Sequence, residues 1–85
     1  MIEVRNDETL DEIGGVRIIQ KKKGYRFSAD SILLADFPDL PGVIRAADLG
    51  TGSGVIAILL AKRSKELSVV GIELQDTLFD LAVRN

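Results

Sequence analysis

An open, parallel α/β sheet is the fold class the sequence predicts, and three observations predict it. The stretch Val43-Ile44-Arg45-Ala46-Ala47-Asp48-Leu49-Gly50-Thr51-Gly52-Ser53-Gly54-Val55-Ile56 reads as a buried strand, a glycine-rich turn and a helix start. A second apolar run, Ser68-Val69-Val70-Gly71-Ile72, fits a strand parallel to the first through a right-handed crossover. Glu73 closes that strand about 20 positions after the glycine turn, where an open α/β sheet places an acidic residue.

Taken in order, residues 1–8 alternate weakly, turn acidic and read as an exposed lead-in. Thr9-Leu10-Asp11-Glu12 matches a capping box, and Gly14-Gly15 limits any helix there to one turn. Val16 to Gln20 is β-branched enough for a strand. Lys21-Lys22-Lys23-Gly24 reads as a tight turn, and Tyr25-Arg26-Phe27 as a second strand completing a hairpin. The lysine run has two readings: contact with a phosphate backbone, or the commoner solvated turn that discourages edge pairing. Ser28 or Asp30 caps a helix to about Asp36, with Ala29, Ile32, Leu33 and Phe37 on one apolar face. Pro38 ends it by pushing the preceding residue out of the helical region.

The connector Pro38-Asp39-Leu40-Pro41-Gly42 is too short to separate domains. A helix from about Ser53 to Ser64 follows the glycine turn. Its segment from Val55 to Ala61 is apolar on every side, which predicts burial on more than one face. Lys62, Arg63 and Lys65 suit the dipole at its C-terminal end. Leu74, Leu78, Leu81 and Ala82 mark a last amphipathic helix. Two parts are expected: residues 1–42, a lead-in, hairpin and helix closing over a site, and residues 43–85, the β-α-β-α unit carrying it.

Composition narrows the function classes. The 85 residues carry 11 basic and 13 acidic side chains, a net charge of −2, so no global basic footprint points to nucleic acid. Cysteine and histidine are absent, which excludes disulfides, thiolate metal sites and catalytic His or Cys; a metal would have to rely on carboxylates. The first eight residues do not read as a signal peptide. The longest apolar run is far too short to span a membrane. A reducing, cytoplasmic setting is the expectation. A chain of this size buries about 60–65% of its unfolded surface, and a doubly wound sheet usually needs more strands. The sequence therefore reads as part of a larger architecture, ending about where a third parallel strand is expected.

Asp48, Gly50, Gly52, Gly54 and Glu73 form the candidate site. Glycine lets the backbone take positive φ and lets a ligand approach without a Cβ in the way. A carboxylate at Glu73 can accept from both ribose hydroxyls of an adenosine. Two cofactors fit such a cradle. Gly52-x-Gly54-x-x-Ala57 matches a nicotinamide-dinucleotide fingerprint, although that register puts its first glycine late and sets Asp48 beside the pyrophosphate. S-adenosylmethionine has no phosphate and carries a sulfonium and an ammonium, for which Asp48 is a favourable neighbour. Each residue also has a purely structural reading: glycines for a tight turn, Asp48 as a helix cap, Glu73 as a solvated strand end.

Asp48-Leu49-Gly50-Thr51-Gly52-Ser53-Gly54-Val55-Ile56 resembles the first motif of class I S-adenosylmethionine-dependent methyltransferases, and Val70-Gly71-Ile72-Glu73-Leu74-Gln75 their acidic second motif. Upstream, the stretch from Gln20 to Ala35, with Gly24-Tyr25-Arg26-Phe27-Ser28-Ala29-Asp30 at its centre, resembles a narrower group. These are the bacterial tRNA (adenine-N6)-methyltransferases acting beside the valine-tRNA anticodon, and the resemblance runs from Thr9 onward. It implies a partial Rossmann-like fold, S-adenosylmethionine as cofactor and tRNA as substrate. It implies that Asp48, Gly50, Gly52 and Gly54 line the methionine side of the cofactor and that Glu73 holds the ribose. Arg26, Phe27 and Asp30 fall where the family's pre-motif segment closes over the cofactor; a hairpin core residue and a helix cap are the competing readings of Phe27 and Asp30. The family's Asn-Pro-Pro-Tyr motif, which grips the target amine, does not occur here: the only prolines are Pro38 and Pro41. The chain thus reads as a cofactor-binding N-terminal portion with no catalytic residue. Its open sheet edge offers a route to self-association.

Overall fold

The computed structural model describes residues 2–85; of the expected lead-in, Met1 lies outside the described residues. The chain runs β1 (Glu8–Ile13), β2 (Val16–Lys21), α1 (Ala29–Asp36), β3 (Arg45–Leu49), α2 (Val55–Arg63), β4 (Ser68–Ile72) and α3 (Asp76–Arg84). β1 and β2 form an antiparallel hairpin; β3 and β4 form a separate two-stranded parallel sheet. This is a small α/β domain in which a hairpin and helix precede the β-α-β-α part of a Rossmann-like sheet.

The hairpin exists, but one element earlier than the sequence suggests. Thr9 to Glu12 is not a capping box: it lies inside β1, with Thr9 paired to Gln20 and Ile13 to Val16. The turn is Gly14-Gly15, not the lysine run. Both glycines sit at positive φ, +56° and +81°, as a two-residue hairpin turn of the I′ kind requires. The same turn is pressed on α2: a Cβ at Gly14 would lie 2.7 Å from Leu59 Cδ2. Tyr25 to Phe27 is correspondingly not a strand. The Phe27 N–H goes to the side chain of Gln20 (3.0 Å to Oε1), so this segment lies along the hairpin as a strap without a ladder of its own.

α1 begins where expected, with Ser28 as N-cap accepting from the Asp30 N–H. Its buried face is not the expected one. Ser31 and Ala35 are buried, while Leu33 and Phe37 are 68% and 85% exposed. Two small residues one turn apart let α1 approach α2 closely, and Arg63 of α2 donates to the Ala35 carbonyl (2.6 Å). The helix stops before Pro38, yet Phe37 keeps an αR backbone (φ −67°, ψ −44°). The cause is therefore the N–H that Pro38 lacks, rather than a displaced preceding residue.

α2 is buried on two faces, as its all-round apolarity predicts. Val55 and Leu59 join Ile13, Ile18 and Ala35 in one core cluster. Leu60 joins Leu40 and Leu67 in another, against which Ala46 and Val69 of the parallel sheet pack. That sheet is less buried than expected. Ala46 and Val69 turn toward α2, but Leu49, Val70 and Ile72 on the opposite face are 76%, 59% and 47% exposed. Among the described residues, only its helix face is covered.

The last helix is tied to the hairpin by charge and amide contacts. Arg84 grips Glu8 with two 2.7 Å bonds, one to each carboxylate oxygen. The Glu8 side chain is fully buried, and these bonds hold its pKa at about 2, well below the ordinary 4.5. Asp80 joins Arg84 (3.2 Å) to Arg5 (3.0 Å). Asn85 pairs with both backbone groups of Ile19 (2.7 and 2.9 Å) and donates to the Ser53 carbonyl (2.9 Å), stitching the end of α3 to β2 and to the glycine turn.

Candidate functional site

At the carboxyl end of β3 the chain turns through Gly50, Gly52 and Gly54, with φ of +69°, +58° and +89°. Every second residue is left-handed, which accounts for the alternation of glycines in the sequence. Gly54 is the N-cap of α2 and leaves the helix start without a side-chain cap. The turn closes on itself: Thr51 N–H donates to the Ile72 carbonyl and Gly54 N–H to the Thr51 carbonyl, each at 2.9 Å.

Two carboxylates border this turn. Glu73, just past β4, accepts from Gly52 N–H through Oε1 (2.8 Å) and from Gln75 N–H through Oε2 (2.9 Å). These bonds, the one from Gln75 first, lower its pKa and keep it an anion. Asp48 accepts from the Thr51 hydroxyl (2.7 Å to Oδ2). Gly71, opposite Asp48 in the sheet, makes room for that hydroxyl: a Cβ there would lie 2.8 Å from Thr51 Oγ1. A Cβ at Gly50 would meet nothing within 4 Å, so the outer side of the turn is open to a ligand. A shallow cavity of about 240 Å³ lies on the helix side, lined by Thr51, Gly54, Ile58, Gly71, Phe79 and Ala82; neither carboxylate reaches it.

Asp48, Gly50, Gly52, Gly54 and Glu73 are thus brought to one end of the parallel sheet. The upstream residues are placed differently. The Arg26 guanidinium donates to the Lys21 carbonyl (2.6 Å), to Thr9 Oγ1 (3.2 Å) and to Asp11 Oδ2 (3.2 Å), which ties it to the hairpin. Phe27 is half-buried against the first core cluster. Asp30 is exposed in the first turn of α1. The residue of this segment that meets the turn is Tyr25: its ring carbons lie 3.4 and 3.8 Å from where a Gly52 Cβ would be. No local pattern pairs an exposed tyrosine with a glycine in the other half of the chain, so the sequence carries no signal for it.

The parts assembled here define a class of site: a strand, a glycine turn and a helix at the carboxyl end of a parallel sheet, with an acid ending the next strand. Comparison with known proteins narrows it. The chain is 38% identical over 64 residues to a tRNA1(Val) (adenine(37)-N6)-methyltransferase of Photobacterium profundum, across 73% of this chain and 27% of that protein. A protein of the same name from Glaesserella parasuis is 37% identical over 60 residues, 71% of this chain and 26% of its own length. Another, from Pseudoalteromonas translucida, is 26% identical over 69 residues, 81% of this chain and 30% of its own. The chain is therefore homologous to bacterial tRNA (adenine-N6)-methyltransferases, and the matched stretch spans less than a third of each of these three relatives. No protein-family model matches it.

Proposed function

We infer that this chain supplies the S-adenosylmethionine-binding part of a cytoplasmic methyltransferase acting on the exocyclic amine of adenine in tRNA. The observation that carries the cofactor choice is the Gly52 amide donated to Glu73. A dinucleotide site needs its turn amides for a pyrophosphate. Here the N–H groups of Thr51, Gly52 and Gly54 are engaged within the protein, the first turn of α2 keeps its N–H groups without a side-chain cap, and the weight of the choice falls on the two carboxylates that border the turn. That environment opposes a pyrophosphate and suits a ligand that carries positive charge and no phosphate.

The residues present fit S-adenosylmethionine. Each Glu73 oxygen has accepted one hydrogen bond and keeps capacity for another, enough for two ribose hydroxyls. Asp48 offers its charge to the cationic methionine end, and the open side of Gly50 admits the ligand against backbone. When bound, the cofactor supplies an electrophilic methyl group on a sulfonium. The chain's own work is to bind and orient it. The family's Asn-Pro-Pro-Tyr motif does not occur within these 85 residues, so cofactor binding rather than methyl transfer is the property to test on them.

Calorimetric titration with S-adenosylmethionine tests this reading, with Glu73→Ala as control. Binding by the wild type that is lost in the variant supports it; equal binding by both overturns the ribose assignment. A second reading has its own observation. The exposed Leu49, Val70 and Ile72, beside open strand edges, fit a non-catalytic piece that folds by associating with itself or a partner. Light scattering on a gel-filtration column tests it, and a stable monomer counts against it.

A further inference from the structure

Tyr25 is 60% exposed, yet its ring is set against the buried Gly52, the residue whose N–H holds Glu73. On its C-terminal side Arg26 is fastened to Lys21, Thr9 and Asp11, and Phe27 to Gln20 and the core. On its N-terminal side Gly24 takes a φ of +101° in open space, a backbone state that redirects the strap. Two anchors and a bend thus hold the Cδ2–Cε2 side of the ring against the glycine turn. Neither the fold nor the core requires a tyrosine at this position, since most of the side chain is in solvent.

We propose that Tyr25 is the ligand-contacting residue of the strap, an aromatic wall that stacks on the adenosine moiety bound at the glycine turn, and that Arg26 and Phe27 are its positioning residues. The proposal rests on the cofactor reading above. It reassigns the upstream segment: Arg26 and Phe27 act by placing the ring. A planar base gains from stacking on a tyrosine whose neighbours along the chain are already anchored, because less freedom is lost on binding. The hydroxyl is not needed for that contact.

The chain has one tyrosine and no tryptophan, so its fluorescence reports this ring alone. The test is titration of the full chain with S-adenosylhomocysteine, followed by tyrosine emission and by calorimetry. The expected result is altered emission on binding, affinity kept in Tyr25→Phe, and a loss of about 10-fold in Tyr25→Ala, typical of one lost stacking partner. Arg26→Ala is expected to weaken binding by a smaller factor, and to lose that effect in the Tyr25→Ala background. Unchanged affinity in Tyr25→Ala, with binding still lost in Glu73→Ala, overturns the role of Tyr25 alone. Absence of binding by the wild type overturns the cofactor reading, and Tyr25's role with it.

Discussion

The hairpin and the parallel sheet are both two-stranded, but they are covered in opposite ways. β2 has three consecutive buried residues, Ile18, Ile19 and Gln20, because α2 lies on one side and α3 on the other. β3 and β4 have α2 on one side and solvent on the other, so Leu49, Val70 and Ile72 stay exposed. The hairpin is also where charges are neutralised, through Glu8, Arg84 and Lys21. At the sheet's carboxyl end, Asp48 and Glu73 are held by neutral donors and keep their charge available. One half of the molecule is built as support, the other presents a surface.

Substitutions can break this contrast. Ile18→Ala empties a fully buried position and should cost about 3 kcal/mol, whereas Ile72→Ala on the open face should cost about 0.5 kcal/mol or less. Urea unfolding measures both, and comparable losses would mean that the sheet face is covered in solution. Gly71→Ala should cost about 1–3 kcal/mol by displacing the Thr51 hydroxyl from Asp48. Much of that loss should be relieved in the Thr51→Ala background, which a double-mutant cycle reads directly.

Acid sharpens the comparison further. The Glu8 carboxyl is held at about 2 against an ordinary 4.5, so the folded state prefers its anion. Its contribution is complete above pH 4.5 and is lost as the pH falls from there toward 2. The stability gap between wild type and Glu8→Gln should therefore close over that range in acid-unfolding curves; a gap independent of pH would remove the ion pair from the account. The smallest effect is expected at α1, where Phe37→Ser should change stability by less than about 0.5 kcal/mol.

The sequence exposes the parallel half more clearly than the hairpin half, for a physical reason. Asp48 to Glu73 forms one local unit whose turn, helix and strand each leave a mark: alternating glycines for positive φ, a continuous apolar run for a helix buried on two faces, and an acid at the strand end. The hairpin's two strands are close in sequence, but what packs on them, Leu59 and Asn85, lies far along the chain. Thr9 and Glu12 fit a capping box equally well until β2 pairs with them, and Gly14-Gly15 reads as a stop until Leu59 and the register of β1 define it as a turn. α1 misleads similarly. Its apolar stripe is the more hydrophobic face, but the small residues Ser31 and Ala35 decide the packing because α2 needs close approach. At the site, the cradle residues are local in sequence and were legible, whereas Tyr25 reaches Gly52 only through the tertiary path of the strap.

Competition at the glycine turn tests the central claim most directly. S-adenosylhomocysteine and NAD are titrated against the same 85-residue chain, each in the presence of the other, with Glu73→Ala alongside. The engaged turn amides and the two carboxylates predict that S-adenosylhomocysteine binds, that NAD fails to displace it, and that Glu73→Ala removes the binding. Saturation by NAD, with S-adenosylhomocysteine excluded, would contradict the account.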